Sequence, residues 1–286
     1  MAVVGRIKEI WRYPVKSMRG ERLESCDLGE LGLFGDRGWA LRDEQVAEIR
    51  GGKKLPGLLH CRAVYVEAPG EETIPAVRIE LPDGTVLEGD PVATGRALSA
   101  FLGTTVTLWP RRPRDDREHY RRNVALDEPE LKRLLGQSPE EPLADLSVMP
   151  ADKLAEISEF TSPPGTYFDA YPIHLLSTSW LETLARHRPE SRFEVARFRP
   201  NFVMEGAGPG LPELDWCGRR LAIGSAELGC EVPTIRCIMS ARATGDLPTD
   251  MEVLRSAASA TGRNIGAYAT VTGFGRISVG DVVELV

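Results

Sequence analysis

The stretch "GRISVGDVVELV" (residues 275–286) reads as two β segments joined by a turn at Gly280-Asp281, an ending typical of a small β-barrel. Upstream, apolar alternation predicts strands at 267–271, 236–240, 226–231, 220–223, 198–205 and 173–176. Two stretches have helical spacing, 128–135 before these strands and 179–188 among them, the second opened by Ser177, Thr178 or Ser179 as cap. The first third is a run of short alternating segments at 7–13, 22–28, 37–42, 63–67, 76–81 and 86–88. Asp83-Gly84 between two of these runs is a hairpin signal, because the pair accepts the positive φ that a two-residue hairpin needs. Residues 95–102 read as a short helix. The fold class expected is mainly β with α (α+β). An N-terminal β-barrel-like domain over 1–122 precedes a second β-barrel domain with a few helices over 123–286.

With 286 residues and 42% hydrophobic side chains, the chain buries one large core or two modest ones. Its net charge of -7 argues against a partner such as nucleic acid or an anionic membrane, which would require a basic face. No basic region followed by an apolar run opens the sequence, and no window approaches the roughly 18 apolar residues of a spanning helix, so a cytoplasmic location without a membrane partner is expected. Five dispersed cysteines, Cys26, Cys61, Cys217, Cys230 and Cys237, fit neither a disulfide framework nor a zinc knuckle, and reduced thiols are expected.

Dinucleotide, P-loop, zinc-protease and nucleophile-elbow motifs are absent. Among the four histidines, His174 sits in an apolar run, where a hydrogen-bonded core residue is the commoner reading and a ligand the other. The arginine-rich residues 110–122 fit a solvated loop or a binding patch. Four short stretches join rigid backbone to hydrogen-bonding side chains: "YPVKS" (13–17), "GDRGW" (35–39), "RFRPN" (197–201) and "TIRC" (234–237). Pro14 and Pro200 fix φ beside Lys16 and Arg199. Converging Lys, Arg and Asn would suit a phosphate on a polar heterocycle, because guanidinium forks match phosphate oxygens; taken singly, each is also an ordinary surface charge. Cys237 follows Arg236, whose charge favours a thiolate, whereas a cysteine in an apolar strand is ordinarily inert packing. The pattern leaves both open.

Together, "WRYPVKSMRGE", "GLFGDRGWAL", "RFRPNFVMEG", "DWCGRRLAIGSAEL", "RCIM" and "ISVGDVVEL" resemble, in order, the MOSC family with its N-terminal barrel, and within it the amidoxime-reducing branch. The resemblance implies a molybdenum cofactor of the molybdopterin type, with Cys237 as catalytic residue and metal ligand; soft thiolate suits a sulfur-rich metal site. It implies cofactor contacts from Lys16, Ser17, Arg37, Arg199, Asn201, Arg236 and Tyr268. Ala170 and Tyr171 stand where relatives carry a hydroxyl pair, so backbone contacts alone carry over there, and residues 238–250 depart from the relatives' Thr and Asp run. The activity implied is reduction of small N-hydroxylated compounds, the oxygen leaving as water. Without an appended iron–sulfur motif or anchor, electrons are expected from a separate redox protein of flavoprotein, ferredoxin or cytochrome type. The alternative from the same residues is a cofactor-binding or sulfur-carrier protein without reductase activity.

Overall fold

The computed structural model describes residues 2–286. Seven strands close into a barrel. In order around it they are Phe202–Glu205, Ile173–Ser177, Asn264–Gly273, Ala226–Ile235, Arg220–Ile223, Val282–Leu285 and Ala2–Arg12, and the last returns to pair with the first. All neighbours are antiparallel except Ile173–Ser177 beside Phe202–Glu205, and helix Thr178–His187 lies between those two in the chain, as a parallel connection requires. Inward side chains follow the two-residue period: Leu221 and Ile223, Leu228 and Cys230. Ile7 and Ile10, three apart, both point inward because a bulge between Ile7 and Glu9 shifts the alternation by one residue.

The closing stretch forms a corner. Gly275–Ser278 pairs with Ser25–Gly29, while Val282–Leu285 pairs with Ala2–Arg12 and Arg220–Ile223. Between them the Gly280 N–H donates to the Ile7 carbonyl at 2.7 Å, and Ile7 N–H donates to Asp281 O at 2.9 Å, so the turn is fastened to the first strand.

The remaining N-terminal residues build two three-stranded antiparallel sheets, Val106–Pro110/Trp39–Asp43/Glu48–Arg50 and Arg62–Tyr65/Val77–Glu80/Val86–Leu87, around a second core containing Met18, Leu41, Leu58, Ile79 and Leu98. Helix Pro91–Leu102 packs on it, starting earlier than the spacing indicated because Asp90 caps it and Pro91 takes the first position. The chain thus combines barrel architecture with a few helices, as the alternation predicts. Strand pairing crosses residue 122/123, however: Ala2–Arg12 and Ser25–Gly29 belong to the sheets of the C-terminal half. The Asp83-Gly84 hairpin carries a three-residue loop, with the Leu81 N–H on Thr85 O at 2.9 Å and Gly84 at φ 84°, because Pro82 already sets the first turn position.

Two predicted strands depart from the apolar pattern: 198–205 is shorter, and 236–240 does not form a strand. Val195–Phe198 is a helical turn ended by Arg199 at φ 56°, and the strand begins only at Phe202, after Pro200. Ala226–Ile235 stops before Arg236, and Ile238–Ala241 is a 3-10 turn. Both breaks put charged residues at the barrel mouth. Two helices without a strong sequence signal, Ala151–Glu159 and Met251–Thr261, complete the fold, the latter capped by Asp250 and Gly262. No helix among the described residues is long and apolar enough to cross a membrane.

Phe202 pairs with Ile10 on one side and Leu175 on the other and is 0% exposed. Phe202→Ala is expected to cost about 3–5 kcal/mol in urea unfolding, the usual penalty of an aromatic-sized core cavity; a loss below about 1 kcal/mol would show that this strand does not close the barrel.

Candidate functional site

Five described non-glycine residues have positive φ, and three of them are Ser17 (71°), Arg37 (49°) and Arg199 (56°). Long or β-substituted side chains rarely adopt this backbone, and its occurrence points to loops shaped for a site. The local reason is backbone zipping. Arg37 N–H donates to Tyr13 O at 2.8 Å, Trp39 N–H to Pro14 O at 3.0 Å and Lys16 N–H to Trp39 O at 2.8 Å, so "YPVKS" and "GDRGW" lie side by side. Asp36, 2% exposed, accepts from Tyr13 N–H at 2.8 Å, from Asn201 Nδ2 at 3.0 Å and from Arg37. The Arg37 and Arg199 guanidinium groups lie over the Tyr13 ring at 4.9 and 4.3 Å, and Tyr13 OH donates to Pro200 O at 3.0 Å. Three sequence stretches from both halves thereby meet.

They open onto a cavity of about 220 Å³. Every candidate site residue lines it: Lys16, Ser17, Arg37, Ala170, Tyr171, Arg199, Asn201, Arg236, Cys237 and Tyr268. Their donors are unequally committed. Lys16 Nζ already donates to Tyr167 O at 2.8 Å, Phe168 O at 3.2 Å and Asp169 Oδ1 at 2.6 Å. Ser17 Oγ accepts from Gly52 N–H at 2.8 Å. Asn201 Oδ1 accepts the His174 N–H at 3.1 Å. By contrast, Arg199 Nη2 and Arg236 Nε are buried without a partner, although each side chain is anchored elsewhere, Arg199 Nη1 on Met18 O at 2.7 Å and Arg236 Nη2 on Phe198 O at 2.8 Å. The rings of Tyr171 and Tyr268 stack with centroids 5.3 Å apart.

Sequence reasoning missed Lys53 and Asp169, isolated charges in loops with no motif around them. Asp169 bridges Lys16 and Lys53, the latter at 3.3 Å, and stays 43% exposed because it faces the cavity. Burial alone would raise its carboxyl, but Lys16 and Lys53 hold it well below the usual carboxylate range. Burial lowers Lys16, with Asp169 opposing, whereas Asp169 raises Lys53. Burial lowers Arg199 to about 10 and pushes Tyr268 up to about 12. Of residues 110–122 the structure brings one side chain, Arg122, to the cavity; Arg112, Arg117 and Arg121 pair with surface carboxylates. The lining thus carries six cations, Lys16, Arg37, Lys53, Arg122, Arg199 and Arg236, and one carboxylate, Asp169. Such a lining is electrostatically suited to an anion.

Cys237, extended at φ -119° just past the strand end, is a half-buried thiol that lines the cavity, which separates it from the buried Cys26, Cys61 and Cys230. No cluster of three His, Cys, Asp or Glu side chains among the described residues is placed to hold an ion by itself, so a metal at Cys237 needs further donor atoms from outside the chain. Unpartnered guanidinium nitrogens beside a thiol fit an anionic, sulfur-rich metal cofactor.

His174 is 4% exposed, with Nε2 3.3 Å from Ile265 O. Gly266, at φ 79°, makes room for it: a Cβ there would stand 2.4 Å from Nε2. Burial, with the Arg236 charge behind it, holds this imidazole well below its ordinary value of 6.5, so it is neutral in the fold. The unfolded chain takes that proton first. Stability is then complete above about pH 6.5 and falls as the pH drops below it, by up to about 1.4 kcal/mol per pH unit for one group. His119, only partly buried, is also lowered by burial and acts in the same sense. His174→Gln is expected to reduce the slope of thermal stability between pH 6.5 and 5; an undiminished slope would contradict the assignment.

The MOSC N-terminal beta barrel domain matches residues 4–101 and the MOSC domain residues 163–284; residues 102–162 fall between the two. The mitochondrial amidoxime reducing component 2 of Rattus norvegicus is 25% identical over 247 residues, 83% of this chain and 66% of that protein, just under two thirds of its length. Among solved structures, the YUAD protein of Bacillus subtilis is 14% identical with a TM-score of 0.40, covering 98% of this chain and 94% of its own. YiiM of Geobacillus stearothermophilus is 23% identical with a TM-score of 0.32, over 41% of this chain and 54% of its own. With the N-terminal barrel and the MOSC domain matched in order, the chain belongs to the MOSC domain family.

Proposed function

We propose that this cavity holds a molybdenum cofactor of the molybdopterin type and that the protein, in the cytoplasm, reduces small N-hydroxylated compounds with electrons from a separate flavoprotein, ferredoxin or cytochrome. The observation that carries the reading is a lining of six cations around one half-buried thiol; three of the cations, Arg122, Arg199 and Arg236, keep a buried nitrogen without a partner among the described residues. Cationic side chains left without anions in a buried site cost stability, and an anionic phosphate offsets that cost.

In this reading Arg199 and Arg236 hold the phosphate, Tyr268 the pterin and Cys237 the metal, while Arg37 and Asn201, both bonded to Asp36, set the loops that carry them. When bound, such a group supplies two-electron reduction of an N–O bond. Two electrons and two protons then convert N–OH to N–H and water. Lys16, its donors engaged by Tyr167, Phe168 and Asp169, props the turn that brings the backbone of Ala170 and Tyr171 to the cavity. Ser17 shapes the loop beside it through Gly52. Lys53 and Arg242 place positive charge within electrostatic reach of the Cys237 sulfur. The likeness of this chain to an amidoxime reducing component supports the choice of substrate class.

Purified wild type is expected to carry close to one molybdenum per chain and to reduce benzamidoxime when a donor is supplied. Cys237→Ala is expected to lose at least about a hundredfold in turnover while keeping its fold, since even residues behind a metal ligand are worth 10–100-fold. Full activity of Cys237→Ala with metal bound would overturn the reading. So would transfer of intact cofactor to an apo-acceptor without any amidoxime turnover, the behaviour of a carrier.

A further inference from the structure

The cavity has a second wall of opposite character. Leu131, Leu134, Leu146, Leu154 and Ile157 line it together with the cations, and all five come from the segment that neither matched domain covers. Helix Glu128–Leu135 is capped by Asp127 on Glu130 N–H at 2.9 Å and turns Leu131, Leu134 and Leu135, at helical spacing, to the cavity. Helix Ala151–Glu159 carries no buried side chain at all, yet its Leu154 and Ile157, three apart, face the same space. These five side chains remain half-exposed, because a cavity lies where other amphipathic helices find a core.

The wall is held in place. At its base Arg122 N–H donates to Glu159 O at 2.9 Å and Thr161 N–H to Tyr120 O at 2.9 Å, closing the segment at its neck. The Glu48 carboxylate accepts Asn123 N–H at 2.7 Å and Val124 N–H at 2.6 Å, Arg122 Nη2 reaches Ile157 O at 3.1 Å, and Arg263 Nη1 donates to Leu135 O at 2.7 Å. A fixed apolar wall beside a polar, cationic one is the usual form of a pocket for a ligand with an apolar body and one polar end.

We infer that this wall selects the substrate: an N-hydroxylated compound whose body is an uncharged alkyl or aryl group lying against Leu131, Leu134, Leu146, Leu154 and Ile157, with its N–O end toward Cys237. The inference rests on the proposed N-reductive reaction. A phosphate and a polar heterocycle use the cations and make no use of leucine side chains, so the apolar wall belongs to the other reactant.

The test uses the cofactor-loaded protein and straight-chain amidoximes of two to eight carbons, with the matching carboxamides, which carry no N–O bond, as ligands for calorimetry. Each added methylene buried on the wall is expected to tighten carboxamide binding, and to lower the amidoxime KM, about fourfold until the wall is filled. Leu154→Gln and Ile157→Gln are expected to flatten this dependence on chain length, and Leu154→Met and Ile157→Leu to keep it. Affinity independent of chain length in wild type, or a slope unchanged in both glutamine variants, would overturn the inference. If no amidoxime is reduced but carboxamide affinity still climbs with length, the reaction is misassigned and the apolar wall stands. If all amidoximes are reduced with one common KM, the reaction stands and the wall does not select.

Discussion

The structure around the cavity depends on one buried carboxylate. Asp36 accepts the Tyr13 N–H, the Asn201 amide and the Arg37 guanidinium, and these three residues come from separate stretches on both sides of the chain. A carboxylate at 2% exposure is tolerable only when its oxygens are hydrogen-bonded and its charge is met. Satisfying Asp36 therefore forces the N-terminal loops onto the mouth of the barrel. The same geometry fixes Tyr13 with a guanidinium group of Arg37 and of Arg199 over its ring.

That convergence has an electrostatic consequence. The chain as a whole is acidic, at -7, yet its cavity gathers six cations and one carboxylate. Asp36 and Asp169 commit Arg37, Lys16 and Lys53, while Arg199 and Arg236 each keep a buried nitrogen free of partners. Positive charge is thus concentrated by position, and the half-buried thiol of Cys237 is set beside it. The leucine-rich segment between the two matched domains then adds an apolar wall to a cavity whose cations come, apart from Arg122, from those domains.

The barrel was legible because its strands alternate and its turns carry Gly and Asp: 220–223 and 282–285 match the observed strands, and Gly280-Asp281 is the corner expected. Apolar pattern failed where proline and charge outweighed it. The run 198–205 becomes a helical turn, a left-handed Arg199 and a shorter strand, and 236–240 leaves the sheet at Arg236. The gathering of ten residues into one cavity could not be read from spacing, since it arises from pairings such as Tyr13 with Arg37, Asn201 with Asp36 and Tyr13 with Pro200, the last 187 residues apart. Resemblance to a family supplied what local pattern could not. Lys53 and Asp169 escaped both, because an isolated charge in a loop acquires meaning only from its neighbours in space.

The central claim is that the charge trapped behind Asp36 and the thiol of Cys237 form one metal-cofactor site. Anomalous diffraction collected on either side of the molybdenum absorption edge from crystals of the protein as isolated tests it most directly. The account predicts a single anomalous peak at bonding distance from Cys237 Sγ, with phosphate density against Arg199 and Arg236. A molybdenum peak elsewhere on the molecule, or cofactor density that leaves both guanidinium groups and the thiol untouched, would contradict it.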